Sequence, residues 1–418
     1  MTSPFEHPAP SLSRWQIFTA APHRVMFFGG ALNVVAAMLW WLVDLTTRYG
    51  IAGHAISWPV TSSAAHAYLL VYGMFPFFMF GFLLTTFPRW MGGKEIPTRR
   101  YIPAFVLLLL GAIFFYLGLS SNKVILALSV MLTLCGWAIA WHALLRVLLE
   151  TSYRDKRHPI VALITLASGW CGAASYLVWL SSGQAAWLNF SLQAGIWLFL
   201  LPEFATVGHR MIPFFTSSAL PQCRVTNANR PWWTILACSI SHGLLQLAGA
   251  SSWLWLCDAP LAVSALYLSY AWNLRRSLAV PILAVPHIGF AWLGIAALLF
   301  TVQSFTLLLS HGEHSLLGLA PLHALTIGCF STLLLGMATR VTLAHAGFSI
   351  NIGRRPIFLL LAGIQAAVLL RILADILPIQ WSPWLYLAAA TAWLACFLPW
   401  VITYLPTYLR PRPDGRPG

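Results

Sequence analysis

Charge is what this chain lacks. Only 8% of its 418 residues are Asp, Glu, Lys or Arg, against roughly a quarter in a soluble domain, and that excludes a water-soluble globular fold. Acidic residues are the scarcest, 10 against 24 Lys and Arg, for a formal net charge of +14. Taken alone, that excess resembles a nucleic-acid signal; placed on a membrane topology it becomes an orientation signal, and no nucleic-acid partner is expected. The seven cysteines (Cys135, Cys171, Cys223, Cys238, Cys257, Cys329 and Cys396) contain no C-x-x-C pair and no disulfide spacing, which leaves zinc-ribbon and thioredoxin chemistry without support. Period-2 alternation is also absent. A bilayer admits only helices or closed barrels, so helices are expected. The opening MTSPFEHPAPSLSRWQ is polar and Pro-rich, without the pattern of a cleavable signal, so the first apolar segment is expected to remain as a helix.

What the chain has is apolar length. It is 59% hydrophobic, with runs at about 25–44, 62–87, 102–120, 123–148, 159–181, 187–209, 232–256, 259–274, 283–309, 319–345, 356–377 and 383–405. Most reach the roughly 20 residues that a span needs; 259–274 is short and is expected to tilt or extend. The prediction is an all-α polytopic membrane bundle of about twelve helices. It divides into a cytoplasmic tail (1–24), a single membrane domain (25–405) and a second cytoplasmic tail (406–418). With the N-terminus inside, every Lys and Arg except Arg48, Lys123 and Arg371 falls on the inner side, as the positive-inside rule requires. Asp44, Asp258, Glu313 and Asp375 then lie at or near the outer face. The 21 tryptophans suit interfacial belts or packing against a flat cofactor, and composition leaves both open. No inverted repeat is evident, which weighs against a transporter.

Ionisable residues inside this membrane domain are the candidates for function, because their cost in hydrocarbon confines them to places where they do a job. The richest segment is Pro321–Gly347, PLHALTIGCFSTLLLGMATRVTLAHAG. His323 lies about one turn in from its outer end, and His66 about one turn in from the outer end of the second span. Two histidines at matching depth on different helices are what an axial haem pair requires; the plain alternative is that each hydrogen-bonds a neighbouring helix. A second group, His209, Arg210, His287, Arg340 and His345, lies toward the inner face, with His242 nearer mid-membrane. Helical rise separates His323 from Arg340 by about 26 Å and from His345 by about 33 Å, so one metal cannot bind both ends. Arg340 either binds a cofactor carboxylate or anchors its helix at the headgroups.

Glu203, next to Pro202 near mid-span, and Arg210 share a helix face about 10 Å apart. They suggest a proton path or a packing role. Arg371 and Asp375 are spaced for a local ion pair. His311, Glu313 and His314 in the loop SHGEHS are either metal ligands or ordinary loop polarity. His7, His23, His54, His142 and His158 sit in tails or near helix ends and call for no special role.

Three blocks resemble the NnrS family of bacterial inner-membrane proteins. HAYLLVYGMFPFFMFGFLLTTFPRWMG (His66–Gly92) is similar to the family's W-H-x-H-E-M…G-F-L-x-T-A…N-W-T-G stretch. GHRMIPFFT (Gly208–Thr216) is similar to G-G-R-x-I-P-x-F-T, and HALTIG…MATRVTLAHAG to H-A-L-T-x-G…M-x-R-x-x-L-G-H-T-G-R. His287, in HIGFAWLG, also matches a family position. The resemblance covers most of the membrane region. It implies a multi-pass protein of the bacterial inner membrane that carries haem, of b-type where paired histidines hold it, and copper, and acts in the nitric oxide response, with an electron donor left unspecified. It carries over His66, His287, His323, Arg210, Arg340 and His345 by position. The chain departs from the pattern at Tyr68 and Leu69, where the family has His and Glu, at His209, where it has Gly, and at Phe348, where it has Arg; these mark a divergent member. His66, His323, Arg340 and Arg210 are the expected cofactor-binding residues, and His66, His323, His287, His345 and His209 the expected metal ligands. Haem–copper oxidases also place haem ligands on their second and tenth helices, but the histidine pair and cross-linked His-Tyr of an oxidase copper site are not evident here. A shared layout does not transfer function, and oxygen reduction is not expected. A small-molecule or metal transporter, or a member that has kept only a structural role, are the alternatives.

Overall fold

Long apolar runs become helices because no water in the hydrocarbon core can satisfy backbone N–H and C=O groups. The computed structural model describes residues 13–347 and 354–413; His7 and Phe348 lie outside the described residues. Within them, one long helix stands at each apolar run: α1 (Pro22–Arg48), α2 (Ser62–Trp90), α3 (Thr98–Leu119), α4 (Lys123–Glu150), α5 (Arg157–Ser182), α6 (Ala185–Ala219), α7 (Asn229–Leu247), α8 (Trp255–Ala271), α9 (Pro281–Leu309), α10 (Ala320–His345), α11 (Arg354–Ile376) and α12 (Ser382–Tyr404). No strand occurs among the described residues. The protein is an all-α polytopic membrane bundle. Ten of the helices are long and apolar enough to cross a membrane. The exceptions are α7 and α8, of 19 and 17 residues; α8 is the run expected to be short, and it begins earlier than its apolar stretch suggested.

Local sequence sets the ends. Asn122 caps α4, its Oδ1 accepting from the N–H groups of Val124 and Ile125 at 3.0 and 3.1 Å, and Gly183 closes α5 in the left-handed conformation with φ 70°. Sequential helices pack as hairpins, and α12 returns against α1. The helices most enclosed by the others are α2, α6 and α10. Each of these three contains a stretch of π-helix: Leu69–Met74, Ala194–Leu200 and Ala324–Ser331. Such stretches insert a residue into the turn and often lie at functional sites.

Two polar clamps fix the ends of the bundle. At one end of the bundle, Asp44 pairs with Arg48 and accepts hydrogen bonds from Trp58 Nε1 and Ser62 Oγ, both at 2.7 Å. This ties the end of α1 to the start of α2. At the opposite face, Arg24 donates to the carbonyls of Tyr408 (3.2 Å), Thr407 (3.1 Å) and Arg410, joining the first long helix to the end of the last.

Candidate functional site

The Asp44 clamp holds the first turn of α2, and His66 lies in that turn. Its ring stacks on Trp41 of α1, centroids 4.1 Å apart and planes 25° from parallel. His323 lies in the first turn of α10. Its Nδ1–H donates to the carbonyl of Leu319 at 3.0 Å, which fixes the tautomer and leaves the Nε2 lone pair to an outside partner. The first turn of α10 packs against α11, which carries Arg371. His66 and His323 stand near the starts of α2 and α10. Both are half-buried, and each stands just before a π-helical stretch of its helix. Arg371 is held in place by Asp375 at 2.7 Å, as its spacing predicted, and lies 4.5 Å over the Tyr386 ring. This end therefore offers two nitrogen donors from different helices, an aromatic wall and cationic side chains. That set fits a haem in two respects, nitrogen ligands for iron and a flat apolar surface, and its guanidinium groups are already paired with Asp375 and Asp44.

The inner group expected from the sequence divides into separate local environments. His345 lies against His23 of α1, ring centroids 4.5 Å apart, and its Nε2 accepts from Arg89 at 3.4 Å. His209 pairs with His158 of α5. His209 Nε2–H donates to the Ala228 carbonyl at 3.1 Å, so its Nδ1 accepts from His158 Nε2–H at 2.9 Å. Trp232 stacks on both rings. The buried His287 is bound through Nε2 to the hydroxyls of Thr216 (2.8 Å) and Ser277 (3.0 Å). Arg340 is buried with its guanidinium 4.0 Å over the Phe215 ring, and among the described residues no hydrogen-bond acceptor reaches it. Arg210 lies 4.7 Å over Trp90.

Glu203, fully buried, accepts from Thr165 of α5 and leaves Oε1 without a partner. It faces α5 while Arg210 faces α2, so the two do not pair. The exposed His311, Glu313 and His314 form no metal-type cluster; among the described residues the group that does is His242, Cys257 and Asp258.

His23 and His158 carry no signal in the sequence. Both stand at helix starts, where position alone suggests an interfacial side chain, and their partners lie 322 and 51 positions away. No local spacing marks such a contact. His242 and Asp258 are more legible: they stand at similar distances on either side of the short α7–α8 turn, so a hairpin brings them level.

A helical membrane bundle with histidines, arginines and a carboxylic acid buried between its helices defines a class: a polytopic membrane protein built to hold polar chemistry inside the bilayer. The chain belongs to the NnrS protein family, whose model matches residues 17–412. Comparison with curated proteins gave no match.

Proposed function

We propose that this protein binds haem near the outer face of the bacterial inner membrane, with His66 and His323 as axial ligands, and that it serves the cell's response to nitric oxide through that haem. The observation that carries the reading is the pair itself: two imidazoles near the starts of the enclosed helices α2 and α10, one stacked on an indole, the other with its Nδ1 committed to a carbonyl and its Nε2 left for a metal. Leu319 fixes the ring of His323, and Trp41 fixes that of His66. Arg371 and Arg48, each already paired with a carboxylate (Asp375 and Asp44), bring guanidinium N–H donors to this end, and the Asp44 clamp holds α1 and α2 in register around the site. A bound haem would supply one-electron redox chemistry and an affinity for nitric oxide. His66 and His323 would hold the iron, and a haem so held would supply electron transfer as its most direct chemistry. Family membership supports the nitric oxide setting, and the basic residues on one side support an orientation with both termini in the cytoplasm.

The test is optical. Protein purified after expression with adequate haem supply is expected to give a b-type pyridine haemochrome and a reduced-minus-oxidised difference spectrum. A preparation without haem overturns the proposal. His66→Ala and His323→Ala should each abolish or alter the ligation bands; unchanged spectra would reject these ligands.

A further inference from the structure

The α7–α8 hairpin buries a second set of ligand-type side chains, on different residues from the haem reading. His242 Nδ1 and Asp258 Oδ1 lie 2.7 Å apart, with side chains 0% and 1% exposed. Cys257 adjoins Asp258, with its Sγ 4.0 Å from the same oxygen. One ligand atom from each of the three lies within 4.8 Å of the other two. Cys238 stands one turn before His242 on α7. The remaining polar atoms of the central pair, His242 Nε2 and Asp258 Oδ2, are buried without a hydrogen-bond partner. A His–Asp pair kept only for packing would leave the carboxylate oxygen Asp258 Oδ2 uncompensated in a membrane interior, an expensive arrangement that natural cores avoid.

The surroundings hold the imidazole in one place. The Trp197 ring, within the π-helical stretch of α6, stacks on His242 with centroids 3.4 Å apart, and Phe300 of α9 meets it edge-on at 5.1 Å. Ser239 Oγ donates to the Trp197 carbonyl at 2.6 Å. Gly243 lets the helices approach closely; a Cβ there would stand 3.0 Å from that of Trp197. A ligand locked by packing and hydrogen bonds outside the metal shell is the usual support of a metal centre.

We infer that His242, Cys257 and Asp258, with Cys238 alongside, form a buried site for a divalent cation of the zinc type. Charge selects it. A neutral imidazole, a thiolate and a carboxylate around a dipositive ion sum to zero, the balance that a low-dielectric interior favours, whereas a monovalent ion would leave a net negative charge. Binding is an exchange. The ring proton of His242 moves from Nδ1 to Nε2, the Cys257 thiol gives its proton to water, and the ion takes Nδ1, Sγ and a carboxylate oxygen: one proton is released for each ion bound. Ligand atoms on a tetrahedral zinc stand about 3.3 Å apart for nitrogen and oxygen. The 2.7 and 4.0 Å separations here require shifts smaller than a bond length. A water fills the fourth position, which keeps the charge sum at zero, and Cys238 lies alongside as a neutral thiol. The consequence is architectural: the ion would tie together α7 and α8, the two helices that lack the apolar length of the others.

The experiment is metal analysis of the purified full-length protein, loaded with Zn2+ and then dialysed against a weak chelator. The expected result is ~1 zinc per chain, retained with four ligand positions filled, and at least a tenfold lower content in Cys257→Ser and Asp258→Asn. Cobalt loaded in place of zinc should give a thiolate-to-cobalt charge-transfer band that Cys257→Ser lacks. Zinc should raise the melting temperature of the wild type and leave that of Cys257→Ser unmoved. This isosteric change keeps the packing, so a folded variant is available even if His242→Ala does not fold. Failure to retain zinc, or equal zinc content in wild type and Cys257→Ser, overturns the site. Haem content is read separately in the same samples, so loss of one reading leaves the other intact.

Discussion

The imidazoles of His158 and His209 share one proton between them and lean on a single indole. His209 gives its own N–H to Ala228, so it can only accept from His158. Replacing His209 with Ala therefore leaves the His158 N–H without an acceptor in a buried place, a loss of about 1–3 kcal/mol. Replacing both removes donor and acceptor together. A double-mutant cycle on thermal stability should return a coupling of about 0.5–3 kcal/mol, with the double variant less damaged than the two singles predict. Additive losses would mean that the two rings are held by Trp232 alone. The same logic separates Arg340 from Arg24. Arg340 is held by an aromatic face, while Arg24 is held by carbonyls, so lysine is a poor substitute at either place, for different reasons.

At the scale of elements, the π-helical stretches of α2 and α6 meet directly. Tyr72 donates to the Ser191 carbonyl at 2.6 Å, and a Cβ added at Gly195 would stand 2.7 Å from Val71 Cγ1 and 2.8 Å from Tyr72 Oη. Gly195→Ala is expected to cost about 1–3 kcal/mol by overpacking, read as a lower melting temperature in detergent; no change would show that the contact gives way freely. An exposed glycine such as Gly92, whose added Cβ meets nothing but whose φ is +61°, tests backbone conformation instead. The π stretches themselves are not legible in the sequence. LLVYGM, AGIWLFL and ALTIGCFS have the composition of ordinary apolar helix, and only the partner helices decide where a wide turn is stabilised.

For the whole molecule, hydropathy and the one-sided basic residues make the number and order of helices readable, because in a bilayer length and charge are nearly the whole energetic problem. Depth along each helix is readable too, and depth alone puts His66 and His323 at one level. Lateral neighbours are not. Which helix faces which depends on side-chain fit, and so the inner histidines, one group in projection, stand in separate local environments on different helices. The sidedness has its own test. A cysteine introduced in the exposed turn at Glu313 should react with a membrane-impermeant thiol reagent added to intact spheroplasts, and one at the exposed Asp155 should react only after the membrane is opened. The reverse pattern would invert the topology.

The clasp between Arg24 and the backbone at 407–410 has a consequence for how the protein is made. Arg24 enters the membrane with the first long helix, but the carbonyls that receive it are synthesised at the far end of the chain. Throughout translation the nascent protein carries a guanidinium that has not yet met these acceptors. A ribosome that stops before Leu405 releases a chain in which it never does. The clasp is therefore a late event in synthesis: the first long helix is secured at this end only once residues 407–410 have been made.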